Sequence, residues 1–197
     1  MKHSVCVFCS SSSTLDEKYY EDSRELGELL GKNNFDMVYG GSSVGMMYEV
    51  ARLAKSHGSK ILGVMPEKLY NFGVSSKECD KFHLTTDMRS RKLKMDELSD
   101  SIIALAGGFG TLEEVSEMIV QKQLGYNNKP IVFLNTKGFY NNLFKFFDDI
   151  IEVSFAKSTA KDLYYIANTP QDAVEYLLNY QYGNIKVSKE DIYTKVN

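Results

Sequence analysis

A parallel β-sheet with helices wound over both faces, an α/β fold in a single domain, is what this sequence predicts. Three observations carry the prediction. Short apolar runs alternate with helix-period stretches along the whole chain, the pattern of strands joined by crossover helices. Two of those runs lead straight into glycine clusters, Gly40-Gly41 and Gly107-Gly108-Phe109-Gly110. No linker, repeat or low-complexity block interrupts the alternation, so residues 1–197 read as one domain. A chain of this length buries about 70% of its unfolded surface in one core.

Taken in order, Ser4 to Cys9 is the first strand and roughly Asp16 to Gly31 an amphipathic helix. Asp36 to Tyr39 is a second strand, running into Gly40-Gly41, and a second helix covers about Val44 to His57. Lys60 to Met65 is a third strand ended by Pro66. A polar, irregular stretch follows from Glu67 to Lys81, then a short extended piece at Phe82 to Leu84. Asp87 to Ser99 is helical, Ser101 to Ala106 is a buried strand, and a helix runs from Thr111 to about Leu124. Pro130 to Leu134 is a strand and Tyr140 to Ile151 a helix, with Tyr140, Phe144, Phe146 and Phe147 on its apolar face. Leu163 to Ala167 is the last strand, and Pro170 opens the closing helix at its first turn. The polar tail after Gly183 is expected to fray. The whole is a Rossmann-like, doubly wound sheet.

Composition excludes several classes. Hydrophobic content of 43% and charged content of 25% are those of a globular protein. A net charge of −3 with a pI near 5.7 argues against a general nucleic-acid binder. No apolar stretch approaches the about 18 residues of a membrane span. The apolar start Val5-Cys6-Val7-Phe8 is too short for a signal-peptide core, so a soluble, cytoplasmic protein is expected. Cys6-x-x-Cys9 lacks a second metal-binding pair and reads as buried, reduced thiols.

The most informative stretch is Gly107-Gly108-Phe109-Gly110-Thr111-Leu112-Glu113-Glu114. A glycine-rich turn between a buried strand and a helix N-terminus lets backbone N–H groups approach an anion, and the helix dipole favours it there. Thr111 adds a hydroxyl donor, and Glu114 sits one turn further on. The same four residues, Thr111 to Glu114, also read as a capping box, which needs no function. The first strand ends in Ser10-Ser11-Ser12-Ser13 without glycine, which argues against the dinucleotide fingerprint of NAD or FAD enzymes. Gly41-Ser42-Ser43-Val44-Gly45 matches a nucleophile elbow, but only His57 and His83 follow it and neither suits a triad. That cluster reads as a second backbone-lined turn facing the same crevice. On the helix beginning near Asp87, Met88, Arg91, Lys92 and Met95 fall within roughly 100° of one another. Two charges on a methionine-marked face need either an anionic ligand or a route to water.

These residues resemble the Lonely Guy family of cytokinin riboside 5′-monophosphate phosphoribohydrolases, many of them once labelled lysine decarboxylases. Gly107 to Glu114 resembles its P-G-G-x-G-T-x-x-E motif, and Asp87-Met88-Arg89-Ser90-Arg91-Lys92 its D-M-H-x-R-K segment. Val38-Tyr39-Gly40-Gly41, Val44-Gly45-Met46-Met47, Gln123-Leu124-Gly125 and Lys129-Pro130 also match, and the resemblance covers about residues 4 to 180. Ala106, Arg89, Ser42 and Tyr48 depart from the family's usual proline, histidine, glycine and small residue.

The resemblance implies hydrolysis of the N-glycosidic bond of an adenosine 5′-monophosphate, N6-modified or not, to free base and ribose 5-phosphate. It implies Arg91 and Glu114 as the essential pair. Ser11, Gly40, Gly41, Met46, Arg91, Lys92, Gly107, Gly108, Gly110 and Thr111 are the matching candidates for holding substrate, with Lys92 adding positive charge near the phosphate. No metal or organic cofactor is implied, and a homodimer is. Two other readings use the same glycine loops: a nucleotide-binding module without catalysis, and ribosyl transfer to an acceptor other than water.

Overall fold

In the computed structural model, which describes residues 3–183, seven strands form one parallel sheet. They are β1 (Ser4–Phe8), β2 (Asp36–Tyr39), β3 (Ile61–Pro66), β4 (Lys81–Thr85), β5 (Ser101–Ala104), β6 (Ile131–Leu134) and β7 (Tyr165–Ala167). Across the sheet their order is β4-β3-β2-β1-β5-β6-β7. The chain therefore steps outward from β1 to one edge, returns over the sheet, and steps outward to the other edge. The helices are α1 (Glu17–Lys32), α2 (Gly45–Ser56), the single turn α3 (Glu67–Tyr70), α4 (Met88–Glu97), α5 (Phe109–Gln123), α6 (Asn141–Glu152) and α7 (Pro170–Asn179). Short 3-10 turns occupy Thr136–Gly138 and Ser158–Leu163. The polar tail after Gly183 lies outside the described residues.

The period-2 alternation of each strand divides the core in two. In β1, Val5 and Val7 join the layer beneath α1, α2 and α7, with Met37, Tyr39, Ile103 and Leu134. Cys6 and Phe8 point the other way, into the layer under α4, α5 and α6, with Val38, Val64, Ile102 and Phe133. Every strand of the centre is buried on both faces, which is why it reads as a continuous apolar run. In-register pairing of Cys6 with Val38 on one side and Ile102 on the other fixes β1 at the middle.

Several boundaries differ from those the sequence predicts. The first strand ends at Phe8 rather than Cys9, and β3 includes Pro66. Pro66 pairs in register with Thr85 on the edge strand β4. Asp16, Asp87 and Thr169 lie just outside their helices as N-caps, accepting from Lys18 N, from Arg89 N and Ser90 N, and from Asp172 N. The apolar helix face expected from Tyr140 to Phe147 is also corrected. Tyr140 precedes α6 and is buried, Phe144 and Phe147 pack against the core, and Phe146 is 57% exposed. Its position, one residue before Phe147, turns it roughly 100° away from that face.

Helices α1 and α2 pack closely because Gly27 and Gly31 leave room. A Cβ at Gly27 would lie 2.4 Å from the Val50 carbonyl oxygen, and one at Gly31 2.5 Å from His57 Cβ. Gly27→Val is expected to lower stability by about 2–3 kcal/mol through overpacking. Glu25→Ala, on the exposed face of the same helix, should stay within about 0.5 kcal/mol of wild type. Urea unfolding midpoints check both.

Candidate active site

The order of strands reverses between β1 and β5, and ligands of open α/β sheets bind in the crevice at that switch point, beyond the carboxyl ends of the strands. A cleft of about 540 Å³ opens there. Its floor and walls are the Cys9–Ser12 turn after β1, Gly40 and Ser42 after β2, Met65 at the end of β3, and Gly108, Gly110, Thr111 and Glu114 from the start of α5. Arg91 and Met88 reach it from α4.

The chain must cross from edge strand β4 back to β5, and α4 is that crossover. Asp87 caps it with a full capping box, its side chain accepting from Arg89 N and Ser90 N while the Ser90 hydroxyl accepts from Asp87 N. The helix packs over β3, Met95 anchors it in the core, and Arg91 projects beside Met95 beneath it. Arg91 is 6% exposed and Glu114 5%. Arg91 Nη1 donates to Glu114 Oε1, and Nε donates to the Val64 carbonyl at 3.1 Å. The guanidinium lies against the backbone of Gly40, where a Cβ would approach Nη2 to 2.5 Å. Gly40 is thus a space requirement of the arginine.

Lys92 takes another route. Its ammonium, also largely buried, pairs with Glu113 and Glu117 on the outer side of α5. Both cations have carboxylate partners on the facing helix α5. The structure brings Ser11, Gly40, Arg91, Gly108, Gly110, Thr111 and Glu114 to the cleft lining. Lys92, Gly41, Met46 and Gly107 do not line it. Met46 is in the core under α2, and its neighbour Met47 lines the cleft instead. Gly41, at φ 72°, turns the chain after β2 and packs against Phe82. Gly107 leaves room for Thr111, whose Oγ1 would lie 2.1 Å from an added Cβ.

The capping box expected at Thr111–Glu114 is absent. Helix α5 begins at Phe109 with Gly108 as its N-cap, so Thr111 is the third helical residue and Glu114 lies in the second turn. No side chain caps α5, nor α2, whose N-cap is Val44. Helix α5 opens on the cleft with the backbone N–H groups of its first turn uncapped by a side chain, whereas in the first turn of α2 the Met47 N–H donates to the Ser10 carbonyl at 3.3 Å. The nucleophile-elbow serine is committed elsewhere, Ser43 Oγ donating to the Val74 carbonyl at 3.1 Å. That bond, with Ser43 N to Val74 O at 2.8 Å and Ser76 N to Gly41 O at 2.8 Å, clips the chain after α3 to the β2 turn. Leu69 and Val74 of this segment join Val44, Met47, Met65 and Met88 as apolar lining that the sequence reading did not find. The only signal for it was the irregular stretch after Pro66.

Burial raises the Glu114 carboxyl above its ordinary value, and Arg91 opposes the rise by charge and hydrogen bond. Burial, then the Glu114 charge, pushes the Cys9 thiol up, so Cys9 stays a neutral thiol at the cleft floor. Cys6 and Cys9 are both buried and free, as expected.

A family model described as possible lysine decarboxylase matches residues 47–177. A probable cytokinin riboside 5′-monophosphate phosphoribohydrolase of Oryza sativa subsp. japonica is 39% identical over 183 residues, covering 93% of this chain and 75% of the relative. A cytokinin riboside 5′-monophosphate phosphoribohydrolase of Arabidopsis thaliana is 37% identical over 176 residues, 89% of this chain and 82% of the relative. The chain belongs to the Lonely Guy family. Among solved structures, the molybdenum cofactor binding protein of Rippkaea orientalis shares the fold, with a TM-score of 0.71 at 22% identity over 90% of this chain and 96% of that one. In this Lonely Guy member the two family motifs fall on facing helices, D-M-x-x-R-K at α4 and G-G-x-G-T-x-x-E at α5, and the arginine of the first meets the final glutamate of the second.

Removing Arg91 leaves a buried carboxylate without its cation. Arg91→Met is expected to cost about 3–5 kcal/mol near neutral pH. In that variant the folded Glu114 pKa stands further above its unfolded value of about 4.3, so the folded state holds the proton more tightly. Stability then falls as pH rises between those two values, and the deficit shrinks on acidification. Urea unfolding of wild type and variant at both ends of that range checks the sign.

Proposed function

We propose that this protein hydrolyses the N-glycosidic bond of an adenosine 5′-monophosphate, releasing free base and ribose 5-phosphate. The observation that carries the reading is the buried Arg91–Glu114 pair at the cleft, one turn from the uncapped N-terminus of α5. The phosphate sits on the N–H groups of Gly108 to Thr111 with the Ser10–Ser12 turn opposite, and the helix dipole favours its charge. This places the sugar beside Glu114. As the C1′–N bond breaks, positive charge develops on the ribose, and a carboxylate in a dry site stabilises it and takes a proton from the attacking water. The proton leaves with the base. Arg91 keeps Glu114 oriented and limits the rise of its pKa. Relatives named phosphoribohydrolases support the same activity.

The apolar lining of Met47, Met65, Leu69, Val74 and Met88 suits a base carrying an apolar N6 substituent. Decarboxylation through a lysine-bound pyridoxal fits poorly, since among the described residues no lysine lines the cleft and Lys92 is bound by Glu113 and Glu117. Among the described residues, no helix is long and apolar enough to cross a membrane. The free thiols Cys6, Cys9 and Cys79 suit a reducing compartment, and we place the enzyme in the cytoplasm. The family resemblance supports a homodimer, which light scattering of the purified protein reads directly.

Incubation with AMP and with isopentenyladenosine monophosphate, followed by chromatography, tests the activity. Wild type is expected to release base and ribose 5-phosphate, and Glu114→Gln and Arg91→Ala to lose about 10²–10³-fold in turnover. The acid limb of kcat/KM should lie above the ordinary glutamate value of about 4.3, with activity lost as pH falls through it. Nucleotide binding without base release would instead establish a binding module, and a new glycoside on adding an acceptor base would establish ribosyl transfer.

A further inference from the structure

Two ion-paired layers join α4 to α5, and only one of them touches the cleft. Arg91 and Lys92 are adjacent on α4, and Glu113 and Glu114 are adjacent on α5. Arg91 takes Glu114 inside, while Lys92 takes Glu113 and, one turn along, Glu117 outside. The Lys92 side chain is 11% exposed and Glu113 56%, so the fork runs from the packed interface to the surface. Lys92 does not line the cleft.

We infer that Lys92 is a positioning residue: its fork to Glu113 and Glu117 sets the separation and register of α4 and α5, and through them the placement of Arg91 against Glu114. This rests on the hydrolase reading above. Without the ammonium, Glu113 and Glu117, four residues apart on one helix, repel each other across a face turned toward α4. The helices then lose the contact that fixes their spacing next to the reacting groups. A displacement of about 1 Å at such a site costs on the order of 10²-fold in rate.

The fork also acts on Glu114 through space. Facing Glu114 are Arg91 and Lys92 from α4, Glu113 from its own helix, and the thiols of Cys6 and Cys9 from the first strand. The thiols are neutral because burial raises both. Lys92 lowers the Glu114 pKa by its charge and Glu113 raises it. Neutralising one or the other therefore moves Glu114 in opposite directions, which a purely mechanical loss of packing does not do. Burial alone would lower the Lys92 ammonium, but its bonds to the two glutamates outweigh that and hold it above the ordinary lysine value, so it stays charged.

The test compares Lys92→Met, Lys92→Arg and Glu113→Gln with wild type in steady-state hydrolysis of AMP and of the unphosphorylated nucleoside across pH. Lys92→Met is expected to lower kcat about 10–100-fold with KM within about threefold of wild type. Its acid limb should move to higher pH, and that of Glu113→Gln to lower pH. Lys92→Arg, which keeps the charge, should recover most of kcat and stands in for Lys92→Met should the latter fail to fold. Two results would overturn the inference. One is a KM for AMP raised about tenfold with kcat intact and nucleoside cleavage unaffected, which makes Lys92 a phosphate ligand. The other is an acid limb unmoved in both neutralised variants. Should wild type release no base, the hydrolase reading fails on its own. The ¹³C-carboxyl titration of Glu114, assigned with Glu114→Gln, then decides the fork by the same opposite shifts.

Discussion

A glutamate and an arginine buried against each other constrain everything built around them. Desolvating either ion alone costs several kcal/mol, and the pair is tolerable only with close geometry and further hydrogen bonds. Arg91 meets both conditions: Nη1 on Glu114, Nε on the Val64 carbonyl, and a face laid on Gly40. Each of those partners belongs to a different element. Strand β3 at Val64, the turn after β2 and the second turn of α5 must all converge on one guanidinium. That convergence leaves no room for a side chain at position 40, where a Cβ would lie 2.5 Å from Arg91 Nη2.

The convergence is a consequence of topology. A sheet whose order runs β4-β3-β2-β1-β5-β6-β7 needs one long return from its edge to its centre, and α4 is that return. The crossover helix passes over β3 and delivers Arg91 to the gap where β1 and β5 part company. There the turns after β1 and β5 lead away to opposite faces, leaving a cleft no helix fills. The two helices that begin at this gap, α2 and α5, carry valine and glycine as N-caps, whereas α1, α4 and α7 carry aspartate or threonine with a bonded side chain. The capped ends are closed by the chain itself. At α2 the chain still supplies a partner, the Ser10 carbonyl taking the Met47 N–H, while α5 opens on the cleft with glycine as its N-cap.

Most of this architecture is legible from local pattern, because a strand buried on both faces and an amphipathic helix each leave a periodic trace. The site is legible only in pieces. Glycines at 107, 108 and 110 mark a phosphate-type turn, but the helix starts at Phe109, two residues before the Thr111 that a T-x-x-E pattern points to. Glycine as an N-cap carries no side-chain signature, so a false capping box outranks the true boundary. Met46 and Met47 are neighbours about 100° apart on one helix, and the sequence does not say which faces the core. Arg91 and Lys92 both announce a need for partners, yet those partners lie 23 and 21 residues further along the chain. Periodicity within one helix is blind to contacts of that range. The apolar wall from Leu69 to Val74 leaves no trace because its conformation is set by three bonds to the β2 turn rather than by its own composition.

Burial and the arginine act on Glu114 in opposite senses, and the proposed reaction needs both. A glutamate exposed to water is ionised but weak, since solvent screens it from a charge developing on a sugar. A glutamate buried alone takes up a proton and has no charge to offer. Placing Arg91 in contact with a buried carboxylate checks the rise in pKa that burial causes while keeping the surroundings of low polarity. The result is a negative charge held in fixed orientation where a cationic ribose would form, with nothing left to reorganise as the bond breaks. On that reasoning Arg91 contributes to rate even without touching the substrate, by making a buried carboxylate available as an anion.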